Sequence, residues 1–198
     1  MKMHHAMRAA LAAGLALALS GCLGLGGAKA PPTLLTLAPV ATLPAGGASA
    51  GNAADAIVVL VPETDRAIGV NRVAVRIDDT NFAYLKKAQW IERPARLFGS
   101  LLAETIRAGG RRLVFTGDDA MASGDTRLGG RLVDFGYDAR SQSAVVRFDA
   151  VRSSKGGAIS TKRFEASVPG VTATPESVGP ALNKAANQVA AEVAAWVG

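Results

Sequence analysis

Cysteine is almost absent from this chain, since Cys22 is the only one in 198 residues. A single cysteine cannot form a disulfide within the chain, so the fold must be stabilised by packing. Histidine is also scarce, and both copies, His4 and His5, lie in the first five residues. The rest of the sequence therefore excludes Ser-His-Asp and Cys-His nucleophilic sites and lacks the usual zinc and copper ligands.

Aromatic residues are few, and neither sign of charge dominates. Phe, Trp and Tyr make up 5% of the chain, and the formal charge is +6, of which Lys2 and Arg8 contribute two. Such a mild excess, without a clustered basic stripe, argues against a nucleic-acid partner. It is compatible with a modest attraction to anionic head groups or to an acidic protein.

Long hydrophobic runs are missing too. The apolar run from Ala9 to Leu19 has eleven residues, whereas a membrane-spanning helix needs about 20. Lys2 and Arg8 precede this run, and a basic segment followed by a short apolar segment is typical of a secretory signal.

The residues that close the apolar run, Leu19-Ser20-Gly21-Cys22, resemble the lipobox of bacterial lipoproteins. That resemblance implies cleavage between Gly21 and Cys22, with diacylglycerol on the Cys22 thiol and a further acyl chain on the new amine. These covalent lipids are the only cofactor expected, and several acyl chains imply permanent attachment. The alternative is an ordinary cleaved signal with an accidental cysteine. In the lipoproteins that this segment resembles, a residue other than Asp after the cysteine favours delivery to the outer membrane, so Leu23 implies the periplasmic face of that membrane.

This interpretation divides the chain into a signal peptide at residues 1–21, a lipidated cysteine with a flexible tether at residues 22–33, and one domain at residues 34–198. The tether is rich in Gly, Ala and Leu and ends in Pro31-Pro32. Its ten residues from Leu23 to Pro32 reach at most about 35 Å when extended and about 18 Å as a flexible coil. We therefore expect the domain to lie close to the membrane surface.

Hydrophobic periodicity predicts the elements of the first half of the domain. Strands are expected at residues 33–37, 57–61, 72–77, 82–87 and 113–115, with a surface loop at residues 39–55. The run at 57–61 is typical of a strand buried on both faces, and Val73, Val75 and Ile77 are expected to share one face of the next strand. Pro94 and the helical spacing of the apolar residues after it predict a helix over about 94–109.

The second half predicts an antiparallel meander followed by a long helix. Val133, Phe135 and Tyr137 are expected on one face of a strand, and alternation continues around Val146–Ala150 and Phe164–Val168. Thr174, as N-cap, begins a helix over about 175–197. The predicted fold class is α+β, with a mixed or antiparallel sheet of six to eight strands and two main helices packed on it.

Several segments resemble those of the ABC-type transport auxiliary lipoproteins. They are Val61-Pro62, Thr64-Asp65-Arg66, the run from Ala83 to Trp90, the helix that Pro94 begins, and the ending from Ala185 to Val197. The likeness covers residues 34–197 together with the lipobox. The sequence departs from the family pattern at residues 67–71.

The resemblance implies a non-enzymatic part of a transport system in which an inner-membrane ABC transporter and a periplasmic MCE-domain protein move phospholipid between the membranes. The expected partners are those two proteins, with the membrane reached through the lipid anchor. Whether the domain forms a homo-oligomer, and whether it binds lipid itself, is left open.

Three closely spaced aromatic residues, Phe82, Tyr84 and Trp90, are the candidate contacts with a partner or with lipid. Tyr and Trp suit interfaces because each has an apolar body and a polar tip. The alternative is that Tyr84 and Trp90 pack under the helix that follows as ordinary core. Basic residues flank the same stretch, and they either meet anionic groups or form a solvated face: Lys86, Lys87, Arg93 and Arg96.

Two acidic pairs, Asp78-Asp79 and Asp118-Asp119, suggest hard-cation ligands, but neither has the spacing of a calcium loop, and turn formation is the better explanation. The Gly-rich residues 124–130 lack a Walker Lys-Ser/Thr pair and are not expected to hold phosphate.

Two other functions compete with the transport role. One is an envelope scaffold lipoprotein for a different outer-membrane assembly. The other is a membrane-anchored hydrolase, which without histidine would need a Ser-Lys dyad or paired carboxylates. No serine lies in a nucleophile-elbow pattern, which disfavours the hydrolase.

Overall fold

The computed structural model describes residues 33–110, 112–117, 119 and 124–198. In this part the chain forms eight strands and two long helices, so the predicted α+β class is confirmed. The predictions on the signal peptide, Gly21, Cys22 and Asp118 lie outside the described residues.

The strands, in chain order, are β1 (Ile57–Val59), β2 (Glu63–Thr64), β3 (Arg72–Arg76), β4 (Phe82–Gln89), β5 (Val114–Thr116), β6 (Thr126–Asp138), β7 (Ser143–Ser154) and β8 (Ile159–Val168). The helices are α1 (Pro94–Ala108), between β4 and β5, and α2 (Pro175–Val197), after β8.

The long strand β6 joins the two halves of a mixed sheet. Along one edge it pairs in parallel with β1, then β2, then β3, while its other edge pairs antiparallel with β7 over the full length. Beyond these neighbours, β5 pairs with β1, β4 with β3, and β8 with β7. The predicted meander is therefore β6-β7-β8.

Both helices begin where the sequence predicts. Pro94 and Pro175 occupy first-turn positions, where the missing N–H costs no hydrogen bond. Thr174 is the N-cap of α2, but its side chain makes no capping hydrogen bond to the backbone, and its hydroxyl lies 3.3 Å from that of Ser177. The hydrophobic stripe that the sequence predicts for α2 comprises Val178, Leu182, Ala185, Val189, Val193 and Trp196. The first five are buried, whereas Trp196 is half-buried.

An aromatic cluster lies between the helices and the sheet. Phe98 of α1 packs against Phe148 of β7 with 5.3 Å between ring centroids, and against Phe135 of β6 at 6.4 Å. Trp90, just after β4, contacts Phe135 at 5.3 Å. Tilted and edge-to-face rings at these distances are favourable beyond the area that they bury, so this cluster connects α1 to the centre of the sheet.

Two predictions about strand faces were wrong. Ile77, expected on the covered face with Val73 and Val75, falls after β3 and is exposed. Ala74, expected on the opposite and solvent-facing side of the strand, is buried. In β6 the register with β7 shifts between Leu132 and Asp134, and Val133 lies at this irregularity. The extra residue of a bulge reverses the alternation, so Leu132 rather than Val133 shares the covered face with Phe135.

The strand predicted at residues 33–37 is only a single bridge, from Leu35 to Trp90. From there the chain crosses the helices as an extended strap, residues 33–43. Asn183 accepts a hydrogen bond from the Ala38 N–H at 2.8 Å, and Asn187 accepts one from Val40 at 2.8 Å. Beyond the bridge at Leu35, the strap is therefore held by side chains of α2.

The strap also reaches α1. The Leu43 N–H donates to Glu104 at 2.9 Å, and this hydrogen bond lowers the pKa of Glu104. Leu35 and Leu37 pack on the core. Added at Gly179 of α2, a Cβ would lie 2.7 Å from Leu35 Cδ2, so the glycine permits close approach of the strap to the helix.

Among the described residues, neither helix is both long and apolar enough to cross a membrane.

Candidate functional site

Two of the three predicted contact residues, Phe82 and Tyr84, lie in β4 at an edge of the sheet. Phe82 is 44% exposed, and the guanidinium of Arg76 lies 4.7 Å from its ring centroid. Tyr84 is half-buried, with the guanidinium of Arg72 4.0 Å above its ring. Cations at this range are attracted to the negative face of an aromatic ring, so both rings are fixed by arginines of β3.

Trp90 belongs to the core, as one of the two alternatives for it states. Its side chain is 1% exposed and contacts Phe135, so it does not offer a surface to a partner in this conformation. Its indole Nε1–H has no hydrogen-bond partner among the described residues. The structure thus separates Trp90 from Phe82 and Tyr84, for which partner or lipid contact stays a prediction.

A large irregularity interrupts β4. Tyr84 is opposite Ala74 and Gln89 is opposite Arg72, so four residues of β4 face the single residue Val73. Lys86 and Lys87 are exposed in this bulge, and Lys87 adopts a φ of +58°, which is uncommon for a residue with a side chain. Bulges and lysines on an edge strand disfavour pairing with a further strand, so this edge is protected against extension of the sheet.

The face of the sheet opposite the helices carries two rows of charges. In the first row Asp134 of β6 pairs with both Arg76 of β3 and Arg147 of β7, and Arg147 Nε donates to Glu165 of β8 at 2.6 Å. Asp134 and Arg147 are directly opposite in the β6–β7 register, as are Arg147 and Glu165 in β7–β8. The row therefore connects four strands through cross-strand ion pairs.

The second row lies nearer β2 and is more exposed. Arg131 of β6 pairs with Asp65, and Arg163 of β8 makes a bidentate pair with Asp149 of β7, with both distances 2.6 Å. The two rows leave the open face nearly neutral in charge. Exposed pairs contribute little stability individually, but the planar guanidinium fork of Arg163 favours the observed register of β8 against β7.

Two of these carboxylates, Glu165 and Asp149, are held in the ionised form by their arginine partners. The hydrogen bond from Arg147 lowers the pKa of Glu165, and that from Arg163 lowers the pKa of Asp149. A carboxylate with a lowered pKa is a poor general acid at neutral pH, because it is already deprotonated. The arrangement is therefore suited to holding strands together and to presenting a polar surface.

We expect acid to destabilise the domain through these groups. A carboxylate whose pKa is lower in the folded state than in the unfolded state stabilises the fold above its unfolded pKa, which is about 3.9 for Asp and about 4.3 for Glu. This stabilisation is lost as the pH falls through the folded-state pKa. The urea midpoint should stay constant from neutral pH to about pH 5 and fall below about pH 4. Urea unfolding of the chain at several pH values measures this.

The double variant Glu165→Gln with Asp149→Asn is the control, because it removes both titrating groups without changing their shape. Its midpoint should fall less steeply below pH 4 than that of the unchanged chain. Some dependence of the midpoint on pH should remain, because Asp78 still titrates. Its hydrogen bonds, of which the one from the Asn81 side chain has the largest effect, lower its pKa to about 2. Equal acid slopes in the two proteins would contradict this role of the charge rows.

A cleft of about 350 Å³ opens on the same face, beside the β6–β7 turn. Its lining combines the first charge row with Phe82, Val145 and Arg140. Arg140 pairs with Asp79 at 2.9 Å. The charges of the first row and of Arg140, which line the cleft, are therefore paired.

The first acidic pair forms a turn, as the preferred alternative predicts. Asp78 Oδ1 accepts hydrogen bonds from the backbone N–H groups of Thr80 and Asn81, each at 2.9 Å. Asp119 accepts one from the Thr116 N–H, and its neighbour Asp118 lies outside the described residues. Across the part of the chain that the structure describes, no group of three or more His, Cys, Asp or Glu side chains is placed to hold a metal ion.

Sequence reasoning did not find the two charge rows or the apolar residues beside the bridge at Trp90. Alternating charges on three successive strands were the signal for the rows, but the cross-strand register that brings them together was unknown. Leu34 and Ile91 are exposed beside that bridge. No local pattern in the sequence places those two residues together.

Comparison with known structures identifies the fold. Protein XCC0632 from Xanthomonas campestris, of family DUF330, superimposes with a TM-score of 0.64 at 18% identity, covering 84% of this chain and 92% of that one. A second, uncharacterized protein gives 0.61 at 11% identity over 84% and 100%. PelC from Paraburkholderia phytofirmans, solved as a dodecamer, gives 0.42 at 14% identity over 72% and 90%.

No curated protein matches the sequence significantly. At these identities the first two structures establish a shared fold alone. The model of one family, described as the ABC-type transport auxiliary lipoprotein component, matches residues 35–194. This range spans the domain from the bridge at Leu35 to the last turn of α2, and the chain therefore belongs to the ABC-type transport auxiliary lipoprotein family.

Proposed function

We propose that this chain is a lipid-anchored, non-enzymatic component of a phospholipid transport system that comprises an ABC transporter and an MCE-domain protein. The observation that carries the proposal is the family match over residues 35–194, which follows a lipobox at residues 19–22 on the same chain. The anchor is the acylated Cys22, and its site is the periplasmic face of the outer membrane.

The geometry of the domain supports a binding role over a chemical one. The carboxylates of the open face are paired with arginines across neighbouring strands. The pairing lowers the pKa of Glu165 and Asp149, whereas an acid catalyst needs a raised pKa. The open face of the sheet has polar side chains that are held by ion pairs, and the neighbouring edge strand β4 is protected against further strand pairing. Such a surface is suited to docking another protein.

Anchoring would supply effective concentration. The ten residues between Cys22 and Thr33 allow the domain to move at most about 35 Å from its lipid. Confinement to such a layer raises the local concentration of the domain for any partner that reaches the membrane. A conduit arriving from the inner membrane would therefore meet a docking point at its destination.

The test is the identity of the neighbours in the envelope. A C-terminally tagged chain is crosslinked in intact cells, purified, and its partners are identified by mass spectrometry. We expect an MCE-domain protein and subunits of an ABC transporter, with lower recovery for the unanchored variant Cys22→Ser. Consistent recovery of only unrelated envelope proteins would reject the transport role and favour a scaffold for another assembly.

A further inference from the structure

The chain enters the described domain beside an unusual group of exposed side chains. Leu35 pairs with Trp90, and both of these side chains point into the core. Because side chains alternate along extended backbone, their neighbours Leu34 and Ile91 point away from it. Leu34 is 48% exposed and Ile91 is 59% exposed.

Cations lie along the same edge. Lys86 and Lys87 protrude from the bulge of β4, and Arg93 is exposed just before α1. None of these three side chains forms an ion pair with an acidic residue of the described part, in contrast to the paired arginines of the open face. Glu92 is the only acidic residue between Lys86 and Arg93. Its side chain accepts a hydrogen bond from the Arg93 backbone N–H at 2.8 Å.

We propose that Leu34, Lys86, Lys87, Ile91 and Arg93 form a membrane-contact surface, termed here the entry surface, that lies on anionic phospholipid head groups. The inference rests on the proposed anchoring through Cys22. The tether ends at Thr33, directly before Leu34, and the bridge between Leu35 and Trp90 places Ile91 beside this entry point. Its apolar side chains would insert at the head-group boundary while the cations meet phosphate.

Charge complementarity selects the occupant. Each Lys or Arg close to an anionic leaflet raises the partition coefficient of a protein between water and the membrane surface by about fivefold. One anchored domain needs only this modest gain, because the tether already confines it to the membrane. The contact would fix the orientation of the domain on the membrane.

The experiment uses the full lipidated chain reconstituted in vesicles of phosphatidylcholine with or without phosphatidylglycerol. An introduced cysteine is the single free thiol, because the Cys22 sulfur is in a thioether. An environment-sensitive fluorophore is attached to Ile91→Cys or, as the matched control, to Ile159→Cys, which replaces an isoleucine that is 71% exposed at the start of β8. Quenching by a lipid-borne quencher reports contact with the membrane.

We expect several-fold stronger quenching at position 91 than at 159 in vesicles that contain phosphatidylglycerol, and a decrease with added salt as the charges are screened. Lys86→Glu with Arg93→Glu should reduce the quenching at position 91 to its level in pure phosphatidylcholine, whereas the exposed Arg66→Glu with Arg127→Glu should not. Flotation with the vesicles should be unchanged in all variants.

Three outcomes would overturn the proposal, and they are distinguishable. Equal quenching at positions 91 and 159, or quenching indifferent to phosphatidylglycerol, in a chain that floats would reject the entry surface and leave the anchor intact. A chain that does not float would reject the anchor, and the entry surface with it.

Discussion

Trp90→Ala is expected to lower the free energy of unfolding by about 3–5 kcal/mol, the usual cost of removing a large buried aromatic side chain. Trp90 is 1% exposed, contacts Phe135, and lies at the bridge that holds the strap. The cavity would therefore loosen both the aromatic cluster and the entry of the chain. Urea unfolding of the purified chain followed by circular dichroism measures the change.

Two variants control this measurement. Trp90→Phe keeps an aromatic ring and removes the unpartnered indole N–H, so we expect a cost below about 1.5 kcal/mol, as for other swaps that preserve most of the volume. Phe82→Ala removes an exposed ring of similar size and should cost less than about 1 kcal/mol. A small effect of Trp90→Ala, with loss of partner recovery in the envelope, would instead assign Trp90 to the interface.

Cys22→Ser is expected to transfer the protein from the membrane to the soluble periplasmic fraction. One acyl chain of myristoyl length binds membranes only marginally, whereas two or more hold a protein stably. Serine has no thiol for the diacylglycerol, so all of the anchoring lipid is lost together. Fractionation followed by immunoblotting should change from nearly all in the membrane pellet to nearly all in the supernatant.

Ser20→Ala is the matched control, because it retains a small residue at the lipobox position next to Gly21 and leaves the thiol in place. It should fractionate as the unchanged chain does. If the unchanged chain is already soluble, or if Cys22→Ser remains in the pellet after a carbonate wash, the anchor is somewhere other than Cys22.

Local patterns were sufficient to predict most of the elements. The helix bounds follow from Pro94 and Pro175, which mark first turns, and from stripes of apolar residues at helical spacing. The β-branched run predicted a strand buried on both faces over residues 57–61, and this is correct for β1, whereas Val61 beyond its end is 44% exposed. In each case the signal lies within the segment that it describes, so no knowledge of the rest of the fold is needed.

The predictions that were wrong concern residues whose environment is set by a neighbouring strand or helix. A strand was predicted at residues 33–37, but only Leu35 forms a bridge there, and beyond it the backbone of the strap bonds to asparagine side chains of α2. Val133 was assigned to the covered face because a bulge, which reverses the alternation, leaves no clear trace in a single sequence. Ile77 lies beyond the end of β3, where the pairing partner stops.

The candidate site was predictable only in part for the same reason. The aromatic residues before α1 stand out in a chain that has few, but their alternation does not reveal that Arg72 and Arg76 cover two of the rings. The entry surface depends on a bridge between Leu35 and Trp90, which are 55 positions apart. Such contacts are set by topology and become visible only in three dimensions.

The mass of the N-terminal peptide of the protein purified from cell envelopes tests the lipid anchor most directly. We predict a peptide that begins at Cys22 and carries a diacylglyceryl thioether and an N-acyl chain. A chain that begins elsewhere, or that retains an unmodified Cys22 thiol, would contradict the account.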